Sequence, residues 1–199
     1  MKGLLFVLMI LVLPLYSSAQ INFGVGMAFS NDFFQSVSNP VNESEEKIRN
    51  LLISPSFGPK FYFGTSQLSL SLQANIGISP ISFDWGEYKG MGVAYAPILA
   101  GINYGGLSGF ATDRSEWGAS VAYGYHFSLT DLYFRDSDFR DMQRDLFYPS
   151  FIQFAGGFGG KGAALYLYSR IGIDHSEGRI FSFGITLEVN FLERRKWRD

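Results

Sequence analysis

The chain has 199 residues, with 16 lysines and arginines against 18 aspartates and glutamates. The resulting net charge of −2 offers no basic footprint for nucleic acid. Cysteine is absent, which excludes disulfides and a lipidated N-terminal cysteine. Phenylalanine (20), tyrosine (11) and glycine (23) are abundant, and only 17% of residues are charged, against roughly 25% in an average soluble domain.

Lys2, the apolar run from Leu4 to Leu15 and the small residues Ser17-Ser18-Ala19 form a signal-peptide pattern cut between Ala19 and Gln20. The run is short for the roughly 20 residues of a spanning helix. The expected organisation is a signal peptide over 1–19, one barrel domain over 20–191 and a charged periplasmic tail over 192–199.

From Ile21 the residues alternate in the two-residue period of a strand. Phe23, Val25, Met27 and Phe29 share one face; Asn22, Gly24, Gly26, Ala28 and Ser30 share the other. Residues 31–50 read as a polar loop. The second strand spans Leu51 to Phe63, with Ile53, Phe57, Phe61 and Phe63 on one face. Pro55 and Pro59 share that face and predict a bulge or a frayed upper end, because proline cannot donate to the ladder. After the turn at 64–67, Leu68, Leu70, Leu72, Ala74, Ile76 and Ile78 alternate with small polar residues in the third strand. A polar loop covers 80–88. The fourth strand starts near Lys89 with Tyr95 on its apolar face, and the blurred parity around Pro97 predicts a bulge. The fifth sets Trp117, Val121, Tyr123, Tyr125 and Phe127 against Gly118, Ser120, Ala122, Gly124 and His126.

A charged loop over 129–146 leads to the sixth strand, about 147–158, then a Gly159-Gly160-Lys161-Gly162 turn and the seventh, 163–173. The eighth, Ile180 to Phe191, alternates strictly: Phe181, Phe183, Ile185, Leu187, Val189 and Phe191 oppose Ser182, Gly184, Thr186, Glu188 and Asn190. Long connections follow strands one, three and five, and tight turns follow two and six. That is the loop pattern of an eight-stranded antiparallel up-and-down transmembrane β-barrel. The second face carries Ser, Gly, Asn, Ala and Thr rather than the charges of a water-exposed sheet, which suits the crowded lumen of eight strands. A soluble exported barrel or sandwich is the competing reading.

The signal peptide, the eight alternating segments and the terminal Phe181–Phe191 strand resemble the small outer-membrane barrels of Gram-negative bacteria, the OmpA-like and OmpX-like "porin family". The resemblance covers residues 21–191. It implies an outer-membrane location with periplasmic termini, contact with outer-membrane lipid and lipopolysaccharide, and assembly by the barrel assembly machinery. In that machinery's signal, Phe191 takes the place of the terminal-strand aromatic. The family includes anchors, adhesins, small channels and lipid-modifying enzymes, so architecture alone does not assign a role.

Three charges share the polar parity: Lys60, Arg170 and Glu188. Charge is expensive on a lipid face, so they are expected in the lumen as one ion-pair network that blocks it; selectivity in a narrow pore is the alternative. His126 falls on the lumen parity. His175, in Asp174-His175-Ser176-Glu177, is the residue a lipid-modifying enzyme would use, although neighbouring residues seldom achieve serine–histidine geometry. Asp136, Asp138 and Asp141 lack the EF-hand spacing, and Asn42-Glu43-Ser44 matches a glycosylation sequon. Neither exceeds chance. The expected role is non-enzymatic, without cofactor or metal: a barrel with a largely filled lumen whose loops at 31–50, 80–88 and 129–146 meet the exterior or an unidentified protein partner.

Overall fold

A computed structural model describes residues 22–38, 47–51, 53–79, 82–83, 93–112, 115–129, 146–173 and 179–191. The expected signal peptide and tail, His175 with its neighbours, the aspartates at 136, 138 and 141, the sequon match and most of residues 80–88 and 129–146 lie outside the described residues.

The described chain is all β. Its elements are β1 (Asn22–Ser38), β2 (Lys47–Leu51), β3 (Pro55–Gly64), β4 (Leu68–Ala74), β5 (Ile76–Ser79), β6 (Ser82–Phe83), β7 (Val93–Gly105), β8 (Glu116–Leu129), β9 (Leu146–Phe147), β10 (Ser150–Gly160), β11 (Ala163–Gly172) and β12 (Arg179–Asn190). They make eight walls, because β2 with β3, β4 with β5 and β6, and β9 with β10 are successive pieces of one wall. Each wall pairs antiparallel with the next in sequence, and β12 returns to pair with β1 from Gly26↔Asn190 to Ser38↔Arg179. The result is a closed, eight-stranded up-and-down barrel, which leaves no sheet edge unpaired around the ring.

Three features depart from the expectation. The stretch 31–50 is not simply a loop: β1 runs on to Ser38 and β2 occupies Lys47–Leu51, paired as Phe34↔Leu51 through Ser38↔Lys47. The alternation is hidden there because a bulge between Asp32 and Phe34 shifts the register by one. Wall four has no bulge at Pro97. Its pairing with β8 is continuous from Ala94↔Leu129 to Gly105↔Gly118. The whole wall follows the phase of Ile98, Ile102 and Tyr104, which point outward, so Tyr95 and Pro97 point inward. The β1–β3 ladder is likewise unbroken past Pro55 and Pro59, both on the outer face. The cost of the prolines appears instead in the third wall, which divides at Asn75. The Asn75 amide donates to the Pro97 carbonyl at 3.0 Å, and Pro97 has no amide to donate in return.

One end of the barrel carries the Gly64–Leu68, Gly105–Glu116 and Gly160–Ala163 connections together with Asn22 and Asn190, and is called the turn end. There the β7–β8 connection folds inward rather than outward. Leu107, Ser108 and Ala111 are buried. Ser108 Oγ donates to the Ser66 carbonyl at 2.7 Å, and the Lys161 amide donates to the Ala111 carbonyl at 3.1 Å. Asn190 Nδ2 bonds the Gly109 carbonyl, and the Phe110 ring packs on Tyr62 at 6.2 Å. Residues 106–111 thus cap the turn end.

Candidate functional site

The lumen is the site, and it is built by the inward residues of every wall. Large side chains enter where a neighbouring wall offers glycine or alanine. Tyr95 lies against Gly77 and the Tyr168 hydroxyl against Gly184, positions where a Cβ would collide with them. Glu188 stands between Ala28 on β1 and Ala164 on β11, which leaves space for partners from across the lumen.

Those partners form a layer at the turn end. Glu188 is ion-paired with Lys60, and its carboxylate also accepts the hydroxyls of Tyr62 and Tyr166. The Lys60 ammonium lies 5.0 Å and 5.4 Å from the Tyr62 and Tyr166 ring centroids, so both rings add cation–π attraction. All four residues are buried.

A second layer lies farther along the lumen. Asp32 accepts the Tyr168 hydroxyl at 2.8 Å and the Tyr95 hydroxyl at 3.3 Å. Arg170 Nη1 is 3.6 Å from Asp32 Oδ2, while Arg170 Nε donates to Gln153 Oε1 at 2.9 Å. The guanidinium lies over the rings of Tyr168 and Phe151, at 4.5 Å and 5.5 Å. His126 stacks on Tyr95 at 5.2 Å between centroids, and its Nε2 is 3.3 Å from Gln35 Nε2. Between the layers, neutral groups continue the filling. Ser30 and Thr186 hydroxyls bond at 2.8 Å, and Asn75 reaches Ser30 and Ser56.

Lys60 and Glu188 are therefore together, but Arg170 does not join them. On β12, Glu188 is cross-strand from Ala164 and Ser182 is cross-strand from Arg170, a separation of six residues or about 20 Å of strand. Arg170 takes Asp32 instead. The expected single network of three is two networks, each with one cation and one anion. Sequence reasoning missed Asp32 because 31–50 read as loop, although it continues the even-numbered parity of Gly24 to Ser30. It also passed over Tyr62, Tyr166 and Tyr168, which share the parity of Lys60 and Arg170. Phe191 sits on the outer face at the turn end, its amide bonded to the Val25 carbonyl at 3.0 Å.

Chemically, the lumen offers paired charges rather than an exposed nucleophile. His126 Nδ1 has no hydrogen-bond partner and Nε2 faces an amide, so no serine–histidine couple forms around it. Among the described residues, no group of three or more histidine, cysteine or acidic side chains is arranged to hold a metal. No protein-family model matches the chain, and neither curated proteins nor solved structures provide a match.

Proposed function

We propose that the protein is an integral outer-membrane β-barrel with a structural or interaction role, a lumen closed by side chains, and polar connections facing the exterior. The observation that carries this reading is the outer face. Phe57, Leu72, Ile102, Val121, Leu165, Leu167, Ile171 and Leu187 stand exposed around the ring. Among the residues whose side chains are described, Asp32, Lys60, Arg170 and Glu188 are buried in the lumen, and Glu116, Lys161 and Arg179 lie at the ends of the walls. A soluble monomer rarely exposes a contiguous apolar patch of more than a few hundred Å².

The dimensions fit as well. Trp117 to Phe127 on β8 is ten steps of about 3.3 Å, which at a tilt of about 40° rises about 25 Å, the height of the apolar band of such barrels. Aromatics gather near both limits: Phe23, Phe63, Tyr104, Trp117, Phe158 and Phe191 at the turn end, Phe33, Tyr125, Tyr148 and Phe181 at the other. With periplasmic termini, the turn end faces the periplasm. The two ion layers and the inward-folded 106–111 connection favour a filled interior over a narrow pore.

Membrane fractionation followed by electrophoresis of unboiled and boiled samples tests the proposal. A heat-modifiable band in the outer-membrane fraction is the expected result; recovery in the soluble periplasm overturns it. Planar-bilayer recording of the purified protein tests the closed lumen, and steady channels altered by Glu188→Gln would refute it.

A further inference from the structure

Pro55, Pro59 and Pro97, the prolines that lie within described strands, all face the third wall. The registers Lys60↔Gln73 and Phe57↔Ile76 set Pro59 opposite Ala74 and Pro55 opposite Ile78. Ala74↔Ile98 and Gly77↔Tyr95 set Pro97 opposite Asn75. The register is the same on both sides of Asn75, so no bulge separates β4 from β5. Two bonds at the turn end give the hydrogen-bonding phase. The Thr65 amide donates to the Leu68 carbonyl at 2.8 Å, and the Gly105 amide donates to the Gln67 carbonyl at 2.9 Å. Bonded pairs alternate along an antiparallel ladder. Even-numbered residues of the third wall therefore bond the second wall, and odd-numbered ones bond the fourth.

Each of the three prolines thus stands at a bonded position, where it can accept but not donate. The carbonyls of Ala74, Asn75 and Ile78 lose their ladder donors. Between Gln73 and Ser79, only Phe57↔Ile76 can exchange both bonds with the second wall.

Side chains hold this stretch from the lumen instead. Asn75 Nδ2 reaches Ser56 Oγ of the second wall and Ser30 Oγ of β1, each at 3.4 Å, and Gln73 Nε2 donates to Asn75 Oδ1 at 3.1 Å. Ser79 Oγ bonds Ser54 Oγ at 2.9 Å. The stretch also lies between the two ion layers. Lys60 of the Glu188 layer is opposite Gln73, while Tyr95 of the Asp32 layer is opposite Gly77 and donates to the Ser54 carbonyl at 2.7 Å.

We propose that the boundary between the second and third walls is a latched seam, which opens laterally over residues 74–78 while both ion layers stay closed. Asn75 is the latch. Its two bonds to the neighbouring walls are long, and long bonds are weaker than those of a regular ladder. Opening the seam brings the neutral stretch of the lumen, around Ser30, Ser56 and Asn75, to the outer face without separating a charge pair. The seam is a property of the ladder and does not depend on whether the outer face meets lipid.

Amide hydrogen exchange of the full chain, folded in detergent micelles, tests the latch. The amides of Phe57, Ala74 and Ile76 should exchange about tenfold faster than mid-height amides of the β11–β12 ladder. Asn75→Ala should speed them about tenfold more and leave β11–β12 unchanged. Pro59→Val returns a donor to the Ala74 carbonyl and should slow the same amides again in the Asn75→Ala background. Equal protection of the two ladders in the unsubstituted chain overturns the proposal, even where a variant fails to fold. Acceleration spread evenly around the barrel, or no recovery with Pro59→Val, also overturns it, because Asn75 is then a packing residue and not a latch.

Discussion

The Glu188 layer and the Asp32 layer hold nearly the same inventory: one carboxylate, one cation and two tyrosine hydroxyls. They use it differently. Around Glu188 the cation touches the carboxylate directly, and both tyrosines converge on the same two oxygens. Around Asp32 the tyrosines bond the carboxylate, but Arg170 stands off at 3.6 Å and spends Nε on Gln153 and its faces on Tyr168 and Phe151. One layer hangs on a single residue, while the other spreads its charge over several weaker partners. A lysine ammonium is a point charge that one carboxylate can saturate, whereas the planar guanidinium bonds and stacks in several directions at once.

That difference sets the order of expected losses. Glu188→Ala strands the Lys60 ammonium and two hydroxyls in a dry site, and should cost about 3–5 kcal/mol in urea unfolding from micelles. Replacing both members of the pair, Lys60→Met with Glu188→Leu, should recover most of that loss. A double variant as unstable as the single one would show that the pair does more than balance charge. On the outer face of the neighbouring wall β11, Leu167→Arg places a charge at mid-height, and if that face meets lipid as proposed the expected cost is about 2–4 kcal/mol. No loss there would argue that the outer face is wet.

Asp32→Ala should cost less than Glu188→Ala, about 1–3 kcal/mol, because Arg170 keeps Gln153 and two aromatic faces. An equal loss in both layers, read from the same unfolding midpoints, would erase the distinction between them. Smallest, Ser108→Ala removes the bond from the turn-end cap to the Ser66 carbonyl and the longer one that Ser108 Oγ accepts from the Phe110 amide, and should cost about 1 kcal/mol. Conductance should stay closed in that variant, since both ion layers remain behind the cap.

Most of the architecture was readable from residue order. The eight walls, the faces of most of them and the inward placement of Lys60, Arg170, Glu188 and His126 follow from period-two alternation. The errors cluster where one residue disturbs that period. The bulge at Asp32–Phe34 hid the upper half of β1 and with it Asp32, and Pro97 suggested a parity change that the continuous β7–β8 ladder does not make. Inward folding of residues 106–111 had no local signal, since nothing in Gly105 to Ala111 says whether a short connection bends into the barrel or away.

Which residues share a face is a local property of a strand, and the sequence by itself determined it wherever the alternation ran unbroken. Which charges meet is set by barrel closure. Lys60 and Glu188 touch because both flank β1, one opposite Gly26 and the other opposite Ala28. In tilted strands such an offset brings side chains of non-adjacent walls to one height. The same geometry lifts Arg170 away from Glu188 and sets it beside Asp32. No spacing along the chain encodes that height, because it exists only once the eighth strand has returned to the first.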